Sequence, residues 1–200
     1  MPKVAIMNRC TVVPDADIQT AVAALQIQVD RDFQPIWGGR ADLTFVKKSG
    51  KAPSGSWQLG VFDTSDQADA LGYHDVTSTG APLGKAFAKS DIDGGYIWSI
   101  TLSHELLELL ADPEINLSAM SGNNIWAYEI CDPCEADALG YGIILQAVEI
   151  ATAVIMGMPA LVQEGLSWKD VRLRAIQTAP VELRARPHAH ASKSAAPSEA

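Results

Sequence analysis

Apolar and polar residues alternate along this chain in two rhythms, and the slower one is the easier to follow. From Ile18 to Phe33 the apolar residues Ile18, Val22, Leu25, Val29 and Phe33 recur at three- and four-residue steps. That spacing lines one face of an amphipathic helix. Pro14, Asp15 and Asp17 mark its start, with acidic residues in the first turn, and Pro35 with Gly38-Gly39 is expected to end it. Leu102, Leu106, Leu109 and Leu110 repeat the rhythm in a second helix. Asp112-Pro113 stops that one, since a residue before proline is pushed out of helical geometry.

Short apolar runs between these helices read as strands: residues 3–7, 41–47, 57–62, and 96–100 leading into the second helix. Residues 48–55 form a polar loop and 63–71 a loop or short helix. Residues 72–87 read as a loop and an edge strand around Ser78-Thr79-Gly80, and 91–95 as a turn. Beyond Pro113, residues 116–124 are a polar loop and 126–130 a short apolar run. Residues 143–162 are Ala-rich and expected to be helical until Gly157 and Pro159, and 168–183 suggest another short helix. Residues 184–200 carry no periodic apolar pattern and are expected to form a disordered tail. The element order predicts an α+β fold: a domain over 1–140 in which a mixed sheet backs the second helix, a helical part over 141–183, and the tail.

Composition adds limits. Apolar residues make up 48% of the 200 residues and charged residues 20%, enough for a core and against global disorder. A net charge of −9 argues against nucleic acid as a main partner, because phosphate binding needs clustered Lys and Arg, and against an anionic membrane surface. It is compatible with a bound cation. The N-terminus does not read as a signal peptide, and the longest apolar run, 150–162, is too short to span a bilayer. The expectation is a soluble cytosolic protein, with signal-less export, as in a phage particle, the other option. Cys10, Cys131 and Cys134 are too few and odd in number for a disulfide framework. Cys131-Asp132-Pro133-Cys134 is a lone C-x-x-C, and a structural zinc would need two more ligands.

The chemistry concentrates in the second helix, Ser103-His104-Glu105-Leu106-Leu107-Glu108. His104 and Glu108 lie one helical turn apart and can converge on one point, with Glu105 beside them. One His among acidic residues on a solvent-facing helix is ordinary. The leucine-rich setting and a second acidic cluster, Glu129 and Asp132, make this one less so. His74 is either a further ligand or substrate-binding group, or a partly buried loop residue. Asp112 either joins an oxygen cluster with Glu108 and Glu129 or simply ends the helix. His188 and His190 fall in the tail. Trp37, Trp57, Trp98 and Trp126 suit core or site-wall positions.

The His-Glu-x-x-Glu helix, Asp112-Pro113, Trp126, Glu129-Ile130 and Asp132 together resemble uncharacterised bacterial and phage zincin-like proteins. Locally they are also similar to the plant phosphate-induced EXORDIUM family. The resemblance covers mainly residues 96–134. It implies a zincin-like fold of the gluzincin type, with His104, Glu108 and Glu129 as metal ligands, Asp132 orienting His104 from behind, and Glu105 as general base. Zinc is the implied metal. Glu108 stands where zincins usually have His, and a site of one imidazole and two carboxylates also suits manganese, iron or calcium. The implied function is a metal-dependent hydrolase acting on a peptide or protein substrate. The alternative is a non-catalytic structural or binding protein that keeps the scaffold within a phage particle or surface assembly, its assembly partners unknown.

Overall fold

A parallel run of strands along one sheet, with a single reversed strand at its edge, sets the geometry of the site. In the computed structural model, residues 1–121, 124–132, 140–146 and 168–173 are described. The chain is α+β. Lys3–Asn8 (β1), Asp42–Val46 (β2), Trp57–Phe62 (β3), Gly72–Val76 (β4) and Pro82–Phe87 (β5) make a five-stranded sheet in the order β2-β1-β3-β5-β4. β1 pairs in parallel with β2 and β3, β3 in parallel with β5, and β4 is antiparallel to β5.

Side chains alternate across the pleat. Val4 and Ile6 of β1, with Leu59 and Val61 of β3, enter the main core. Ala5 and Met7 point the other way and pack with Val46 in a small second cluster. The main core is closed by two helices, α1 (Asp15–Gln28) and, after the short α2 (Gln34–Trp37) and α3 (Ala88–Asp93), α4 (Trp98–Ala111).

Between α1 and α2 lies a π-helical turn, Val29–Phe33. The helical path therefore runs past Pro35 instead of ending there, as the sequence suggests. Pro35 sits in the first turn of α2, where a missing N–H costs nothing. Gly38, at φ 74°, closes the helix, a left-handed position that glycine takes without steric penalty.

α4 differs most from the pattern that predicts it. Not only Leu102, Leu106, Leu109 and Leu110 but also Ser99, Ile100, Ser103, Glu105, Leu107 and Glu108 are buried. The sheet, α3 and a C-terminal strand pack against it, so it has no single wet face. Its start is also earlier than expected. Residues 98–100 are its first turn and not the end of a strand, with Ile97 the last extended residue. Burial of Ile100 in the core outweighs the mild strand preference of the aromatic and β-branched residues there.

Beyond α4 the structure corrects the sequence reading twice more. Ser118–Ser121 (β6), where a polar loop is expected, pairs antiparallel with Asn124–Ala127 (β7), which runs from the end of that loop into the apolar run at 126–130. Tyr141–Gln146 (β8) and Trp168–Leu173 (β9) also pair antiparallel, not as helices. A short apolar run such as Ile143-Ile144-Leu145 cannot be assigned to helix or strand by periodicity alone. Ile143 and Leu173 share the core with Val4 and Leu106. The expected tail and the Gly157–Pro159 break lie outside the described residues. Among those described, no helix is long and apolar enough to cross a membrane.

Candidate metal centre

Three pieces of backbone deliver the site. α4 contributes His104, Glu105 and Glu108 from consecutive turns. β4, the reversed edge strand beside it, contributes His74. The segment after β7 contributes Glu129 and Asp132. Asp112 fixes the route between α4 and that segment. Its carboxylate accepts the backbone N–H of Asn116 (3.2 Å) and of Leu117 (2.9 Å) as the chain turns away from the helix. Asp112 is thus a helix terminator, and it belongs to neither group of converging ligand atoms described next.

Glu108 is the centre of the cluster. Its Oε1 accepts the backbone N–H of Cys131 at 3.1 Å. Its Oε2 lies 3.0 Å from His104 Nε2 and 3.6 Å from His74 Nδ1. Asp132 Oδ1 stands 3.4 Å from the same His104 nitrogen. Glu105 Oε2 is 3.8 Å from His74 Nδ1, and Glu129 Oε2 is 3.9 Å from His74 Nε2. Two trios able to hold a cation therefore overlap at Glu108: His104–Glu108–Asp132 and His74–Glu108–Glu129.

Of the residues singled out in the sequence, His104 and Glu108 come together as expected. Glu129 reaches the cluster from the His74 side. Asp132 touches His104, the partner the resemblance gives it, and its oxygen is close enough to share a cation with His104 and Glu108. His74 is buried on β4 and not in a loop, and its strand pairing brings it within reach of Glu105, Glu108 and Glu129. Cys131 acts through its backbone N–H. Cys134, His188 and His190 lie outside the described residues.

The room around Glu105 is tight. Gly72 begins β4 directly over it, and a Cβ there would come 2.5 Å from Glu105 Oε1 and 2.8 Å from its Cγ. A side chain at residue 72 would occupy the space the carboxylate uses. Beside them a cleft of about 250 Å³ opens, lined by Asp69, Leu71, Gly72, Thr101, His104, Glu105 and Asp132. Thr101 is held by donating its hydroxyl to Asp91 Oδ1 at 2.9 Å.

Burial and charge set the protonation states. Burial opposes an imidazolium at His74, but the surrounding carboxylates of Glu105, Glu108 and Glu129 outweigh it and raise His74 to about 9. His104 likewise resists its burial through Glu108 and Asp132 and is held well above the usual imidazole range. Burial pushes Glu129 up to about 8, helped by the Glu108 charge and opposed by His74. Burial also raises Glu105, against the pull of His74 and His104. Glu108 goes the other way: burial is outweighed by the two histidines and the Cys131 N–H, and its carboxyl is held low.

The donor set fits a divalent cation on an independent ground. Glu105 Oε2 and Glu129 Oε2 are buried and have no hydrogen-bond partner. Buried carboxylate oxygens without a hydrogen bond are costly, and a cation in the His74–Glu108–Glu129 group would satisfy that of Glu129. Zinc, manganese or iron can use imidazole with carboxylate, while calcium prefers oxygen alone, so the two histidines weigh against calcium. No protein-family model, curated protein or solved structure matches this chain, and the functional reading rests on the site itself.

Proposed function

We propose that this protein is a metal-dependent hydrolase of zincin-like design, acting on a peptide or protein substrate in the cleft beside α4. The observation that carries the reading is the position of Glu105. It is a buried carboxyl, raised by its surroundings, that lines the cleft next to His104 and Asp132. A proton acceptor works best with its affinity moved toward neutrality, and a group so perturbed in a cleft is a functional candidate.

In this reading His104, Glu108 and Asp132 would hold the cation beside the cleft, Asp132 taking the place that the resemblance gives Glu129, which converges with His74 on Glu108. The cation would supply Lewis-acid polarisation of a water and of the substrate carbonyl. The chain's own residues do the rest. Glu105 takes the proton from the attacking water and passes it to the leaving amine. The Cys131 N–H fixes the Glu108 carboxylate, leaving one oxygen for the cleft. Gly72 keeps Glu105 at its post.

A second reading has one observation in its favour. His74 stands among three carboxylates as a ready counter-charge, so the cluster is partly balanced without an added cation. That suits a non-catalytic protein that keeps the scaffold in a larger assembly. Metal content by mass spectrometry after purification without chelators or a tag separates the two. Stoichiometric zinc or manganese, absent in Glu108→Ala, supports the hydrolase. A metal-free protein under zinc-replete conditions ends it. With metal established, Glu105→Gln is expected to keep it and to abolish cleavage of unfolded protein substrates.

A further inference from the structure

We infer that the site holds two divalent cations bridged by Glu108, the second on His74, Glu108 and Glu129. This rests on the hydrolase reading above and extends it, since the resemblance implies a single metal. Both trios use Glu108, and it is the same oxygen, Oε2, that faces His104 Nε2 at 3.0 Å and His74 Nδ1 at 3.6 Å. An oxygen so placed within reach of two imidazoles is positioned to bridge.

The spacings around His74 favour a cation over direct hydrogen bonding. At 3.6, 3.8 and 3.9 Å they are too long for hydrogen bonds. Ligand atoms about 2.0–2.2 Å from a common ion stand roughly 3 to 3.6 Å apart; Glu108 Oε2 stands at that spacing from His74 Nδ1, and one ligand atom from each of His74, Glu108 and Glu129 lies within 4.8 Å of the others. Orphaned carboxylate oxygens provide the independent evidence. Glu129 Oε2, within the trio, is buried without a hydrogen-bond partner, and so is Oε2 of the adjoining Glu105, whose side chain is only 7% exposed and faces His74 Nδ1 at 3.8 Å.

Charge points the same way. Glu105, Glu108, Glu129 and Asp132 bring four carboxylates into or against one buried cluster. Buried charges must be compensated. One divalent cation offsets half of them, and two offset all four with both histidines neutral, the form in which imidazole binds metal. Paired metals bridged in this way clamp both the attacking and the leaving atoms of a hydrolysis. A bridged pair also explains why Glu serves at residue 108 better than His: a carboxylate oxygen can face two ions at once, whereas an imidazole nitrogen has a single lone pair to give.

The test uses the full chain, stripped of metal and titrated with Mn²⁺ alone. Bound metal is counted by mass spectrometry after dialysis, and the ions are followed by electron paramagnetic resonance. About two ions per chain, with the coupled signal of a bridged pair, are expected. His74→Ala and, separately, the size-preserving Glu129→Gln should each leave one ion with an isolated-ion signal. One ion in the wild-type chain, lost in His104→Ala but kept in His74→Ala and Glu129→Gln, overturns the second cation and leaves the hydrolase reading standing. No bound ion at all overturns both.

Discussion

The backbone N–H of Cys131 reaches back across 23 residues of chain to donate to Glu108 Oε1 at 3.1 Å. This bond joins the segment bearing Glu129 and Asp132 to the helix bearing His104, and it leaves Glu108 with one oxygen for other work. Glu108→Gln keeps the shape and an acceptor for Cys131 but loses the charge. Metal affinity is expected to fall by more than the roughly 10–100-fold that loss of an outer partner costs, with the fold retained. Calorimetric metal titration and circular dichroism check this. Undiminished affinity would remove Glu108 from the ligand set.

Gly72→Ala places a methyl where Glu105 stands, 2.5 Å from Oε1. Overpacking of this kind costs about 1–3 kcal/mol. Glu105 must shift, so any hydrolytic rate should fall more than metal affinity does. Urea unfolding, metal titration and turnover, measured on the same variant, give the three numbers. Wild-type stability would mean that β4 does not press on Glu105.

pH should act on the metal-free protein in a stated direction. Glu129 sits at about 8 against an ordinary 4.5, and His74 at about 9 against 6.5. Between those values the folded chain holds protons that the unfolded chain has released, so stability falls as pH rises, from above 4.5 through 8 for Glu129 and from 6.5 through 9 for His74. Metal needs the same groups deprotonated, so its affinity rises over that range and proton release accompanies binding. Melting curves from pH 6 to 9, with and without metal, are expected to diverge. Parallel curves would show that these groups are not ligands.

Tyr141→Phe tests a second polar connection. The Tyr141 hydroxyl donates to Asp32 at 2.6 Å and accepts from Gln28 Nε2 at 3.0 Å, and Gln28 Oε1 accepts from Ser103, the neighbour of His104, at 2.7 Å. Removing the hydroxyl deletes two of these bonds, a loss of about 1–3 kcal/mol, read as a lower melting temperature. Metal content should be unchanged, because Tyr141 touches no ligand. An unchanged melting temperature would show that these bonds do not hold β8 in place.

The parts of this molecule that were legible in the sequence are those with local rhythm or fixed spacing. α1, β1, β2 and β3 follow from periodicity, and His104 with Glu108 from a single helical turn. Asp112-Pro113 marked the end of α4 for the same reason. What escaped depends on distant pairing. His74 enters the cluster because β4 lies antiparallel on β5, and nothing within residues 72–76 states which strand they join. The C-terminal strands escaped for a different reason: β8 is a short apolar run whose partner, β9, comes more than twenty residues later. The overlap of two trios at Glu108 could not be read from spacing, which joins only His104 and Glu108, nor from the resemblance, which implies one role for each of Glu105, Glu108, Glu129 and Asp132.

The contact between Gln28 and Tyr141 spans 113 residues, and it has a bearing on the order of assembly. α1 leaves the ribosome early, but one of its buried hydrogen bonds waits for β8, and α4 waits for β9 to cover it. Contacts so far apart in sequence form late, after their loop-closure entropy has been met. The cover over α4 is thus finished by β8 and β9, the last of the described strands, so a cation held at the proposed site would meet a fold already close to complete.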